Sequence, residues 1–592
     1  MSGRGKLRWV FAIAILVSLA GRAAQAAPQA PVSPVILNES VDDTSFTVTW
    51  QKPSTYSSIT SYRVYVNNVL KCTTSNGPTS KPRLYCHIGG LASGTYYDGG
   101  TSTPQGGAVQ VAAVDGTGES TRVTALASSK TSGSRCACTT SPCVPTGSCK
   151  TMSLQSVVFV HTYATQNTED TTHIQQAIDN CPSNGKVVIA SGETFIGGAL
   201  FFQHGTTNKS NCTFQIDGTL SATTTASKYP FTNDRFPLYG TGGGYGTVPY
   251  PPNHMGLINT CDTQTCAVSN LRLTGAGNVN GGPWVSGNLT TLGTNMAAAH
   301  GDSSRADLVN LNSVTGLYIT GLHFQDPPEH LIFVSRSTNV SVEGITSNSY
   351  RGCDSCIHNG DGIDLATSTG GYIFGSSFDD GDDCINLNAG SNQPGVTENR
   401  PDQTIRIFDN TTLHGHGGVV FGSFTAAWIK NIVAEDNYFN GTDVGYRFKT
   451  GTNRGGGAGG TSSMADGVTL RDTVFNNIQQ TGIEMTGAYP DSTGFPSGGV
   501  GFFRWITIKN ITGSVGSSAY AINIAGNPSP RHTNLTLTDV NLTGGSSSKG
   551  ISVYQVSNST FTHVTATTGN FFIEPGSFGD TFTNCTPTPT PH

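Results

Sequence analysis

The chain is 592 residues long, with 74 Gly and a charged fraction of only 12%. So little charge excludes a disordered polyampholyte and a long coiled coil, both of which need far more Glu and Lys. A net charge of −6, from 32 basic and 38 acidic residues with no run of Lys and Arg, excludes a protein that tracks a nucleic-acid backbone.

Arg4, Lys6 and Arg8 precede the apolar run Trp9–Val17, and Ala24-Gln25-Ala26 offers small residues to a signal peptidase. This three-part pattern predicts a secretory leader over residues 1–26 and an extracellular or periplasmic mature chain without a membrane anchor. The apolar run is too short for a membrane span. All 14 Cys lie beyond Ala26, so they enter an oxidising compartment and can form up to seven disulfides, whose pairing the spacing does not fix. Cys136, Cys138, Cys143 and Cys149 read as disulfide partners rather than zinc ligands, because no second spaced Cys/His pair accompanies them.

Residues 27–128 alternate in short bursts, among them Phe46–Trp50, Ser61–Val66 and Val109–Val114. About seven such strands in roughly 100 residues describe a β-sandwich. The runs Thr47–Trp50, Tyr62–Val66 and Val111–Ser120 resemble a fibronectin type III module. Nothing in it reads as catalytic, and a spacer or docking role is expected. Residues 129–150, rich in Ser, Thr, Gly and Cys, read as a braced linker.

From residue 151 to 592 one helix is predicted, over 171–180, with Asp170 or Thr171 as cap and Ile174, Ala177 and Ile178 as apolar stripe. Downstream, Leu317-Tyr318-Ile319 is followed 23 residues later by Val340-Ser341-Val342. Tyr372–Phe374, Ile405–Ile407, Val468–Leu470, Ile506–Ile508, Leu535–Leu537 and Phe561–His563 repeat the signature. Bursts at irregular intervals of about 20–40 residues predict a solenoid of parallel strands, best a right-handed parallel β-helix, with the early helix covering its open end. An array of β-sandwiches competes, but it needs hairpin dipeptides that are scarce here.

On a solenoid, residues one coil apart stack at about 4.8 Å. Asp361, Asp382 with Asp383, His416, and Arg447 with Lys449 follow one another at roughly coil spacing and so converge on one strip. Close carboxylates repel, which keeps one of them protonated, and glycoside hydrolysis needs that division between acid and base. Singly, each group has a plainer use in a turn or on a solvated face. Asp379-Asp380-Gly381-Asp382-Asp383 could suggest calcium, but it lacks the spacing of an EF-hand.

The ordered set Asn359-Gly360-Asp361, Gly381-Asp382-Asp383, Gly415-His416-Gly417 and Arg447-Phe448-Lys449 resembles the polygalacturonases of glycoside hydrolase family 28. The stretches Asp170–Cys181, Gly198–Phe201, Gly218–Leu220 and Asn339–Val342 extend the likeness over most of residues 150–592. The resemblance implies hydrolysis of α-1,4 galacturonosidic bonds with inversion. By that likeness Asp382 is the acid, Asp361 and Asp383 activate water, and His416 tunes or shares the proton. Arg447 and Lys449 would bind a galacturonate carboxylate, with Asn359 and the aromatic Tyr489 beside them.

Gly360 departs from the family's Thr and Phe448 from its Ile, while His416 argues against a rhamnogalacturonan specificity. Gly360, the insertion from Asn388 to Gln403 and the appended module resemble bacterial exo-acting members, in which loops such as 388–403 or 451–462 could close one end of the groove. The alternatives are an endo-acting polygalacturonase or another pectin-directed β-helix hydrolase, a pectate lyase on the same solenoid, and a non-catalytic binding β-helix. No cofactor, metal or nucleic acid is implied. Polygalacturonate or pectin oligosaccharides are the expected ligands, and the chain is expected to be a monomer.

Overall fold

A computed structural model describes residues 27–92, 97, 108–127, 156–232, 253–262, 266–284, 289–300, 304–352, 356–390, 392–452, 454–457, 461–462, 464–490, 499–517, 520–548 and 550–592. The leader at 1–26, the linker at 129–150 and its four cysteines lie outside the described residues. Among those described, no helix is long and apolar enough to cross a membrane.

Residues 32–127 form two facing sheets. One runs Tyr85–Ile88, Phe46–Gln51, Val32–Ile36, Leu126–Ala127, and the other Val69–Thr73, Ser61–Val66, Val109–Asp115, Gly118–Glu119, with Val123–Thr124 at its side. The inward residues of alternating strands, Val48, Trp50, Tyr62, Val64 and Val111, are buried between them, and the Trp50 and Tyr62 rings meet at 5.3 Å. The disulfide Cys72–Cys86 ties one sheet to the other.

The remainder is a parallel β-helix in which a typical coil contributes three strands, as in Val309–Asn312, Thr315–Thr320 and His323–Gln325. One sheet stacks the first strand of each coil. Its inward column, Leu311, Val334, Leu365, Leu387, Phe421, Phe448, Met485, Ile524 and Val553, is a continuous apolar ladder. Within it the Phe421 and Phe448 rings stack at 4.2 Å. Burial of such a column contributes roughly 1.5–3 kcal/mol per side chain, and it explains why register survives large loops between coils.

The middle strands bend at one residue per coil. From Asn270 to Asn558 ten successive coils place a residue there with φ between 52° and 77°, and eight of the ten are Asn or Gly. These are the residues that enter the left-handed region at least cost.

The helix Thr171–Asp179 buries Ile174, Ala177 and Ile178 as expected. Its Gln175 side chain donates to Phe201 O at 2.9 Å and accepts from Phe201 N at 2.8 Å, so it takes up backbone groups on the first parallel strand of the sheet. Two further helices, Thr291–His300 and Asn392–Glu398, were not expected. Among the described side chains of the first, Leu292 and Met296 are the large apolar ones buried, too few for a long stripe, while the second contains Pro394 and Gly395, so neither carries a sequence signal.

The module is docked on the solenoid. Tyr85 lies edge-on to Phe374 at 4.7 Å, and Arg406 donates to Trp50 O at 2.7 Å. Lys52, almost wholly buried, reaches Asp436 and Asp472, each at 2.7 Å. Thr47 and Tyr318 both donate to Glu343, from the two sides of the interface. All these solenoid groups lie on the middle strands or the turns that leave them, not on the sheet described next.

Candidate active site

Asp361 stands two residues before the strand Ile363–Ala366, and Asp383 opens Asp383–Asn388 on the next coil. His416 precedes Gly417–Ser423, and Arg447 and Lys449 lie in Val444–Thr450, so the predicted groups occupy four successive coils of one sheet. One oxygen from each of Asp361, Asp382 and Asp383 lies within 4.8 Å of the others.

Two glycines let the backbone come this close. A Cβ on Gly360 would lie 2.9 Å from Ser349 Cβ and Oγ. Ser349 holds that space because its hydroxyl accepts from Gly381 N at 2.9 Å and donates to Gly360 O, which joins the two acidic loops. Gly415, at φ 124°, would place a Cβ 2.4 Å from Asp382 O.

The four aspartates of residues 379–383 separate. Asp379 meets His414 at 2.7 Å, while Asp380 lies buried under Ser347 and Ser349, and burial pushes its carboxyl up to about 8. Asp382 meets His416 Nδ1 at 2.9 Å, and Asp383 accepts from Lys449 Nζ at 2.6 Å. Four carboxylates facing four different partners are not a calcium loop.

The electrostatics divide the cluster. Burial, then repulsion from Asp364, Asp382 and Asp383, drives Asp361 well above the usual carboxylate range, with Lys449 opposing. Burial also works to raise Asp382, but the bond to His416, its charge, and Lys449 and His330 outweigh it and bring Asp382 to about 2. The bond to Asp382 raises His416 to about 9 against the effect of burial. In the ligand-free site, therefore, the cluster favours a proton on Asp361 over one on Asp382, and Asp382 is ionised against the His416 imidazolium.

The cations stand on one side. Arg447 Nε donates to Glu484 Oε2 at 2.8 Å, and Glu484 is its register neighbour on the next coil. The Tyr489 ring lies 5.6 Å from the Arg447 guanidinium carbon and 5.3 Å from Lys449 Nζ. Asn359, at φ 54°, accepts from Arg305 Nη2 at 3.2 Å. The helix Asn392–Glu398 touches the hairpin strand Gly456–Gly457, so the two loops singled out above meet where the Asp383–Asn388 and Val444–Thr450 strands end.

Several participants escaped the sequence reading. His330 Nε2 lies 3.7 Å from Asp361, and its Nδ1 is 2.8 Å from Asp307 and 3.9 Å from Asp364. Burial opposes its charge, but Asp364, Asp307 and Glu329 raise it to about 9. Its signal was available: Glu329-His330 immediately precedes an apolar strand one coil before Asp361. Glu484 and Arg454 were also missed; the latter lies 5.0 Å from the Tyr489 ring. Two groups could hold a metal by proximity, His330 with Asp361 and Asp364, and Asp361 with Asp382 and Asp383. The imidazole of His330 and the ammonium of Lys449 already serve these carboxylates.

Paired carboxylates beside two cations, on the face of a parallel β-helix, define a polysaccharide-acting glycosidase. The chain belongs to the glycosyl hydrolases family 28, whose profile matches residues 255–562. It is 28% identical over 635 aligned positions to an exo-poly-alpha-D-galacturonosidase of Dickeya chrysanthemi, covering 98% of this chain and 97% of that one. A family 28 exopolygalacturonase of Yersinia enterocolitica superposes with a TM-score of 0.72 at 23% identity, covering 95% of this chain and 98% of that one. A polygalacturonase of Erwinia carotovora gives 0.51 at 20% identity, over 66% of this chain and 94% of its own. These two structural likenesses concern the fold.

Proposed function

We propose that this protein is a secreted polygalacturonase that hydrolyses α-1,4 galacturonosidic bonds with inversion and releases product from one chain end. The observation that carries the reading is the Asp361, Asp382 and Asp383 cluster facing Lys449 and Arg447 on successive coils. Asp382 is ionised in the ligand-free site, so it first takes the proton that His416 holds 2.9 Å away and then passes it to the leaving oxygen. Asp361 and Asp383 activate water in the form of the enzyme in which Asp361 has lost its proton to solvent, and the proton taken from the attacking water comes to rest on this carboxylate pair. Lys449 and the terminal nitrogens of Arg447 hold the sugar carboxylate, with Tyr489 beside them.

The exo reading is supported by the near full-length similarity to the Dickeya enzyme and by the contact between the helix Asn392–Glu398 and the hairpin at 456–462. Inversion rests on the family resemblance. Oxygens within 4.8 Å are closer than the roughly 6.5–9.5 Å usual for an inverting pair. Secretion is supported by the disulfides Cys72–Cys86, Cys181–Cys212 and Cys261–Cys266. Cys384 and Cys585 are free, so the ceiling of seven bridges is not reached. Cys384 is buried on the core side of the catalytic strand.

Time-resolved product sizing on polygalacturonate tests the reading. Mono- or digalacturonate from the first time point is expected; a ladder of mixed oligomers means endo action, and unsaturated products mean a lyase. Proton NMR of the first-formed anomer decides inversion.

A further inference from the structure

The column of left-handed residues on the middle strands has two members that are neither Asn nor Gly, Thr404 and Trp505, and of these only Trp505 is aromatic. Trp505, at φ 54°, takes the position that Gly467 fills on the coil before and Asn534 on the coil after. Its indole is 57% exposed, so core packing does not account for it. A bulky side chain held in this region is strained, and such strain persists where something other than stability retains it.

The neighbourhood supplies a reason. Lys430, Asp466 and Arg504 are register neighbours on three successive coils, and Trp505 follows Arg504 directly. Trp428, immediately before the strand Ile429–Glu435 that carries Lys430, is also left-handed, at φ 78°. Lys430 Nζ lies 4.3 Å from the Trp428 ring and the Arg504 guanidinium carbon 5.8 Å from it. Asp466 answers Arg504 at 2.9 Å, whereas among the described residues no carboxylate pairs with Lys430. Two of the chain's five tryptophans thus stand in strained positions at one edge of the sheet, with a net positive charge between them.

We propose that Trp428, Lys430, Arg504 and Trp505 form a second, non-catalytic binding surface for an acidic polysaccharide. Flat indole faces accept the apolar C–H faces of sugar rings, and the two cations accept uronate carboxylates, which a neutral polymer lacks. The strands that carry Lys430, Asp466 and Arg504 come after the catalytic sheet's Gly417–Ser423, Val444–Thr450 and Thr481–Thr486 on the same coils, with the hairpin strands Gly456–Gly457 and Thr461–Ser462 between the second pair. A long polymer can therefore engage both. The choice of a uronan as occupant rests on the pectin-directed reading above.

The test uses the full-length chain with Trp505→Asn, which restores the residue type of the column, and Lys430→Gln, a change at a half-buried side chain that keeps most of its length and leaves the backbone alone. Affinity electrophoresis in gels containing polygalacturonate or neutral dextran reads binding, and trigalacturonate hydrolysis reads the catalytic site separately. Each variant is expected to bind polygalacturonate about fivefold or more weakly, with kcat/KM on trigalacturonate unchanged. Wild-type retardation of both variants, or equal retardation of the wild-type chain by dextran, overturns the surface. A wild-type chain that binds polygalacturonate through these residues but cleaves nothing would overturn the hydrolase reading and leave the surface standing.

Discussion

Replacing Lys449 by Met removes one ammonium and keeps an unbranched stem of similar size. That ammonium stands 2.6 Å from Asp383, with side chains 8% and 2% exposed, and among the described residues the other Asp383 oxygen accepts no hydrogen bond. Leaving a buried charge unpaired costs about 3–5 kcal/mol, an upper bound because the cluster can bind a proton instead. Lys449 is also the cation that opposes the rise of Asp361, so without it Asp361 ionises at still higher pH. The acid limb of the kcat/KM profile on trigalacturonate should therefore move to higher pH, because a base must be ionised. At its optimum kcat/KM should fall roughly 10- to 150-fold, since a charged hydrogen bond to the substrate contributes about 1.5–3 kcal/mol. The loss of Tm should be larger at about pH 8 than at about pH 5, where protonation relieves the unpaired charge. An unmoved acid limb together with equal losses of Tm at both values would refute the reasoning.

Asp382→Asn should lower kcat by about 10²- to 10⁴-fold with KM nearly unchanged, and steady-state kinetics near wild type would remove Asp382 from the acid role. The Asp382–His416 pair stabilises the fold fully between the unfolded values of 3.8 and 6.5; its contribution fades as pH rises through about 9 or falls through about 2. His416→Asn should accordingly lower the urea midpoint at about pH 6 and leave it unchanged at about pH 10. Lys52→Met should destabilise by about 3–5 kcal/mol, as a buried ion pair loses one partner. That loss should shrink in acid, because Asp436 already titrates at about 6 through burial, even with Lys52 beside it; equal urea midpoints for variant and wild type at about pH 8 would contradict this.

What was legible in the sequence follows from the repeat. The 23-residue step from Leu317 to Val340 is the true register, since those two residues pair directly. Tyr372–Phe374 is one place out, because Gly371 is the partner of Val340 and a glycine leaves no apolar mark. The acidic cluster was readable because its members recur one coil apart. His330 stands one coil before Asp361 and the same spacing could have found it, but a single imidazole before a strand has a plainer reading as a loop residue. The docking of the module was invisible for a different reason. Lys52 and Asp436 are 384 residues apart, and no periodicity links a strand of one fold to a turn of another. The large outward residues Tyr318, Tyr372 and Arg406 were the available hint, because solvent-facing positions on a bare solenoid have no need of them.

The docked module constrains how the gene can be cut. A chain begun at residue 151 would expose the stacked Phe374 and Phe408 rings, together with Glu343, Asp409, Asp436 and Arg406, all of which are buried against the module in the whole protein. An apolar patch ringed by suddenly hydrated carboxylates favours self-association over a clean monomer. The boundary that looks natural in the sequence is therefore a poor one for expression, and a well-behaved unit of this enzyme should include the module strands from Val32 to Ala127.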